Sequence, residues 1–116
     1  MGTIDTPATT RALSEAGDTY KLSAIAKQRL NALIPVTMHD GIILYIEQGI
    51  TPGDFLTAVI CNDLKGACQR ADFVNIEILR NYVEWLYWHA PEPCWGSRHD
   101  MEQWQARVRF GDGGDE

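Results

Sequence analysis

Apolar residues recur at the three-to-four-residue spacing of an α-helix in five successive stretches, each bounded by turn residues. The first begins near Tyr20, with Leu22, Ile25, Ala26, Leu30, Leu33 and Ile34 on one face, and Pro35 stops it. The second runs from about Met38 to Gln48 with Ile42, Ile43, Tyr45 and Ile46 apolar. Gly49 can take the left-handed turn that ends it, with Ile50 folding back over the last turn. The third starts at Pro52 and reaches about Arg70, with Phe55, Leu56, Val59, Ile60, Leu64, Ala67 and Cys68 facing inward. The fourth spans about Phe73 to His89, capped by Asp72 and closed by Pro91 and Pro93. The fifth spans about Arg98 to Arg109, with Met101, Trp104 and Val108 on one stripe. The pattern predicts an all-α fold, a compact bundle of four to five short helices occupying residues 19–110. Residues 1–18 show no sustained period beyond one short turn near Ala12–Ala16 and read as a flexible arm. Residues 111–116, GDGGDE, read as a disordered acidic tail.

Start signals reinforce this division. Thr37 to Asp40, Thr51 to Asp54 and Ser97 to Asp100 each place a hydroxyl three positions before a carboxylate at the head of an apolar run. The hydroxyl can accept from a first-turn N–H, and the carboxylate favours the positive end of the helix dipole. Pro52 fits a first helical position, where its missing N–H costs nothing. The 73–89 stretch is apolar on most sides. Ile76, Leu79, Val83, Leu86 and Tyr87 form one stripe, and Ile78, Tyr82 and Trp85 form another, with Trp88 between. Such a helix is either the central post of the bundle or meets another subunit, which makes a homodimer or higher homo-oligomer an expectation.

At 116 residues the chain suits one domain with a core of its own, and 45% hydrophobic against 22% charged residues is an ordinary globular balance. No apolar run approaches the ~20 residues of a membrane span, and no basic-then-apolar leader opens the chain. The start MGTIDT matches a loose acylation pattern through Gly2 and Thr6, a pattern short enough to arise by chance. Three cysteines make no disulfide framework. Cys61 and Cys68, expected on one helix, are too far apart to bond and are expected to pack as small apolar side chains, which suits a reducing cytoplasm. The net charge of −6 is unevenly spread. Residues 1–35 carry four bases and three acids, residues 36–90 three bases and seven acids, and residues 91–110 three of each. An acidic centre disfavours broad phosphate-backbone binding, so nucleic acid is not the expected partner, while a basic protein is a natural one. Lys21, Lys27 and Arg29 form the one basic patch.

Residues 89–100, HAPEPCWGSRHD, crowd a cysteine, two histidines, two carboxylates and a tryptophan together. Zinc sites favour Cys-x₂-Cys or His-x₃-His spacings, and His39, His89, His99 and Cys94 show neither, so no metal and no cofactor is expected. Cys94 precedes a helix start with Arg98 and His99 close by, yet no third group orients a base, so no complete catalytic set can be assembled and no enzyme is expected. The stretch reads mainly as punctuation between helices, with His39 and His99 as exposed first-turn residues. Six residues remain as binding candidates. Trp88 and Trp95, beside Arg98 and His89, suit a binding hot spot or a base-stacking pocket. Asn62 and Asp63, expected mid-helix amid apolar neighbours, suit a solvated face, a buried polar network with Arg70, or a polar ligand contact. Arg80 and Glu84 form an i,i+4 pair on the same reading.

Two segments, IPVTMHDGIILYIEQGITPGDFLTAVICNDLKGACQRAD (34–72) and WLYWHAPEPCWGS (85–97), resemble the recurring core of a widespread group of small proteins encoded by tailed phages and prophages. The likeness covers about residues 34–97 and leaves out the first 33 residues and the acidic tail. Most of its positions are the caps, turns and core residues named above, so it carries structure rather than chemistry. Charge, small size and this resemblance together lead to the expectation of a non-enzymatic phage accessory protein in the bacterial host cytoplasm that binds a host or phage macromolecule, with inhibition of a defence system as its most concrete form. Two alternatives stand beside it: an oligomeric sponge that captures a small nucleotide signal in a Trp- and Arg-lined pocket, and a DNA-binding regulator using the basic 21–29 face.

Overall fold

The computed structural model of the protein describes residues 20–110. The expected arm over 1–18 and tail over 111–116 lie outside the described residues. Among the described residues there is no strand, and seven α-helices follow one another: α1 (Ala24–Leu33), α2 (His39–Gln48), α3 (Asp54–Ile60), α4 (Leu64–Arg70), α5 (Phe73–Glu77), α6 (Leu79–His89) and α7 (Arg98–Phe110). Short 3₁₀ turns at Val36–Met38 and Glu92–Cys94 join α1 to α2 and α6 to α7. The all-α bundle is therefore as expected, and the helix count is higher because two of the five expected helices are each broken in the middle.

The first break follows Ile60. Asn62 stands at φ 63, in the left-handed region that asparagine enters more readily than most residues. Its amide donates to the Val59 carbonyl at 3.0 Å, and the Asp63 amide donates to the Ala58 carbonyl at 2.8 Å, which together close the end of α3 in a Schellman motif. Asp63 then caps α4 by accepting from the Gly66 amide at 3.0 Å. Asn62 and Asp63 are thus joint residues rather than mid-helix ones, and no polar network with Arg70 forms around them. The kink also rotates α4, so Ala67 stays buried while Leu64 and Cys68, expected inward, are exposed. The second break, at Ile78 (φ −117, ψ 23), separates α5 from α6 and is bridged by the Tyr82 hydroxyl donating to Asn75 Oδ1 at 2.6 Å.

Of the three expected capping boxes only Ser97–Asp100 supplies its hydroxyl cap, with the Asp100 amide donating to Ser97 Oγ at 3.0 Å. Thr37 lies inside the 3₁₀ turn, and Met38 caps α2 without a side-chain bond. Gly53 caps α3, so Pro52 falls in the loop, and Thr51 Oγ1 instead accepts from Gln105 Nε2 at 2.9 Å. Besides Asp63, Ser23 caps with its side chain on Ala26 and, as expected, Asp72 does so on Asn75. A hydroxyl–x–x–acid spacing marks a turn, but whether its oxygen faces the helix depends on the entering chain direction.

The core joins these pieces through aromatic side chains whose polar tips reach backbone carbonyls. Trp85 Nε1 donates to Ala26 at 2.9 Å, tying α6 to α1, and Trp104 Nε1 donates to Ile46 at 2.9 Å, tying α7 to α2. The buried stripe of α6 is Tyr82, Trp85 and Leu86, while Val83, Tyr87 and Trp88 are exposed. α6 is therefore no central post, because one whole side of it faces outward. Gly49 ends α2 as expected at φ 74, and its carbonyl accepts from Arg109 at 2.7 Å, so a side chain there would meet both strain and α7. Ile50 closes the turn through its amide, on the Leu44 carbonyl at 3.3 Å, but its side chain stays exposed.

Two stability outcomes follow. Ser97→Ala is expected to lower unfolding free energy by about 1 kcal/mol in urea titrations, whereas Thr37→Ala changes it by less than about 0.5 kcal/mol. Asn62→Ala is expected to cost about 1 kcal/mol, with Asn62→Gly close to neutral, since only the alanine is strained at positive φ.

Candidate functional site

The crowded corner after α6 is built from the inside. Its 3₁₀ turn places Cys94 wholly out of solvent, and the Cys94 carbonyl accepts from the Tyr45 hydroxyl at 2.7 Å. Gly96, at φ 123, donates to the Ile60 carbonyl at 2.8 Å and so pins the corner to the end of α3. Burial pushes the Cys94 thiol well above its usual range, and the Asp100 carboxylate adds to that rise over an opposing backbone hydrogen bond. A buried, neutral thiol is poorly suited to nucleophilic attack. His99 is exposed on the first turn of α7. His39, expected to be exposed too, is half-buried, with Nε2 2.7 Å from the Ile34 carbonyl, to which a protonated Nε2 donates. Among the described residues no three of His, Cys, Asp and Glu converge as a metal site would require.

Three of the six binding candidates do come together. Asn62, Asp63 and Trp95 line one cleft of about 290 Å³ counted out to its open mouth. Ala58 and Val59 of α3 and Ala67 of α4 also line it, and two of these are small enough to leave space beneath the joint. Leu79 and Val83 of α6 line it with the half-buried indole of Trp95, and Leu64 completes it beside Asn62 and Asp63. Asp63 is held in place by its capping bond, and Gly66 is required opposite it because any Cβ there would collide with the carboxylate. Arg98 and Glu102 of α7 stand close enough to act electrostatically on the half-buried Cys61 thiol, which burial pushes up, Arg98 draws down, and Asp63 and Glu102 push up further. Cys61 packs with its sulfur 3.5 Å from Met101 Sδ, as an apolar side chain does.

The other three candidates lie elsewhere. Trp88 is 68% exposed and makes an edge-to-face pair with Tyr87 at 5.0 Å. It follows Val83 by five residues, about 140° round the helix from the side that lines the cleft. Arg98 is exposed and does not line it. His89 packs against Trp85 at 6.2 Å between ring centres, and its pKa is lowered by burial first and by the Arg29 guanidinium second, with Glu84 opposing. The residues missed in the sequence were Leu64, Leu79 and Val83, which helical periodicity assigns to the interior. The available signal was the Asn-Asp pair interrupting an apolar run, a turn signature that local side-chain hydrogen bonding explains.

No family model, no curated protein and no solved structure matches the chain.

The lowered pKa of His89 makes acid stability measurable. The unfolded imidazole protonates near its ordinary value of roughly 6.5, while the folded one protonates at lower pH. The contribution of this group is therefore complete above roughly pH 6.5 and falls as the pH drops below it towards the folded pKa. Unfolding titrations at successive pH values are expected to show that decline in the wild-type chain and a shallower one in His89→Gln.

Proposed function

We propose that this chain is a non-enzymatic phage accessory protein that works inside the bacterial host by binding a host or phage macromolecule, with inhibition of a defence system as its most concrete role. The observation that carries the reading is the cleft. Asn62–Leu64 and Trp95, which belong to the two separate segments that carry the phage-family resemblance, meet there across the fold. Among the described residues its lining is apolar apart from Asn62 and Asp63 and includes no thiolate, no imidazole and no cluster of acid–base groups, which favours recognition over a reacting centre. The exposed Tyr87–Trp88 pair adds aromatic surface of the kind enriched at binding hot spots. A carboxylate without a cation in the lining makes the nucleotide-sponge alternative less favourable, because a phosphate would be repelled there. On the basic face of α1, Lys27 already sits 3.6 Å from Glu47, which weakens the case for a DNA-binding regulator.

Affinity capture from host lysate with the full chain, with every bound species identified, tests the reading. Wild-type protein is expected to retain one bacterial or phage macromolecule in near-stoichiometric amount, and Val83→Lys, an exposed change on the cleft, is expected to lose it while keeping its helical circular dichroism. Recovery of chaperones alone would overturn the reading. A nucleotide absorbance carried through purification, together with an oligomer in light scattering, would replace it with the sponge.

A further inference from the structure

We infer that the cleft at the α3–α4 joint is a docking groove for a protein segment that presents a large apolar side chain next to a lysine or arginine. The inference rests on the macromolecule-binding reading and narrows its partner to a class. Three observations support it. The groove is apolar along Leu79, Val83 and Trp95, and its outer residues Leu64 and Val83 are 68% and 44% exposed, so an apolar side chain entering it would cover surface now in contact with water. Much of its roughly 290 Å³ is open to solvent, so it is a shallow groove and not a pocket that encloses a whole ligand, and such an opening suits one side chain carried by a backbone lying across it.

Charge then selects the neighbouring group. Among the described residues of the lining Asp63 alone is charged, and its carboxylate is already oriented by the Gly66 amide, so a cation meeting it finds a pre-set acceptor. An acidic segment or a nucleotide phosphate would meet repulsion from the same carboxylate.

The test uses the full-length ¹⁵N-labelled chain and three defined probes: the acetylated, amidated peptide Ala-Ala-Leu-Leu-Ala-Arg-Arg-Ala, the same peptide with glutamates for arginines, and adenosine monophosphate. The basic peptide is expected to shift the backbone amides of Asn62, Asp63 and Leu64 and the indole N–H of Trp95 saturably, with affinity falling as salt is raised. Asp63→Asn keeps a capping side chain, since asparagine and aspartate cap equally well, and removes only the charge; it is expected to weaken the peptide about two- to fivefold. Val83→Lys is expected to abolish the shifts. The inference is overturned if the acidic peptide or the nucleotide shifts the same signals as strongly, if Asp63→Asn binds like wild type, or if the shifts fall on Tyr87 and Trp88 instead. Concentration-dependent shifts in the absence of peptide would identify a second copy as the occupant and overturn it equally. A host macromolecule captured equally by wild type and Val83→Lys would sink the groove while leaving a binding function intact. Peptide binding at the groove with no macromolecule captured would do the reverse.

Discussion

The buried hydroxyl of Tyr45 holds together parts of the chain that are far apart in sequence. It donates to the carbonyl of Cys94 at 2.7 Å, 49 residues away, from a side chain that is itself almost fully enclosed. A carbonyl in a tight 3₁₀ corner cannot find a helical partner, and leaving it unpaired in the interior would cost about 1–3 kcal/mol. The tyrosine meets that need from α2 and thereby fixes where the corner sits. The Gly96 amide on the Ile60 carbonyl then sets how the corner faces α3. With both bonds in place, Trp95 lies against the joint, and the cleft exists because of it.

The same device recurs elsewhere in the core. Trp85 on Ala26 and Trp104 on Ile46 each combine a large apolar body with one N–H directed at another helix's backbone. Buried tryptophan and tyrosine need such partners, so each bond selects one helix arrangement from among those that hydrophobic burial alone would permit. Helices of seven residues or fewer, such as α3, α4 and α5, have little stability of their own and depend on this docking. The consequence for function is that the joint between α3 and α4 is faced across an open cleft by Leu79 and Val83 of α6 and by Trp95.

Interruptions, rather than regular helices, generate the surface features. An unbroken helix from 54 to 70 would have turned Leu64 and Cys68 inward as their spacing implies. The left-handed Asn62 and the capping Asp63 redirect the chain, which moves Leu64 to the rim and leaves Ala67 to pack. On α6 the buried set takes Tyr82 and Trp85 from one apolar stripe and Leu86 from the other, and the polar tips of Tyr82 and Trp85 found partners in Asn75 and Ala26. Val83, Tyr87 and Trp88 were left outside by that choice, not by any polarity of their own.

The amino-acid sequence by itself determined the helical class, the approximate helix positions, the stops at Pro35 and Pro91, the left-handed end at Gly49 and the caps at Asp72 and Ser97. These depend on local spacing and on backbone limits of single residues, which act wherever the chain goes. It also singled out Asn62, Asp63 and Trp95 as residues unexplained by packing. Tertiary structure alone decided that these three meet, since their encounter depends on a hydrogen bond between residues 45 and 94 and on a rotation at one left-handed residue. It likewise decided which threonines cap nothing and which residues of the two apolar stripes are buried. Periodicity states that a face is apolar, but only competition among faces for a finite core settles which of them remains in water.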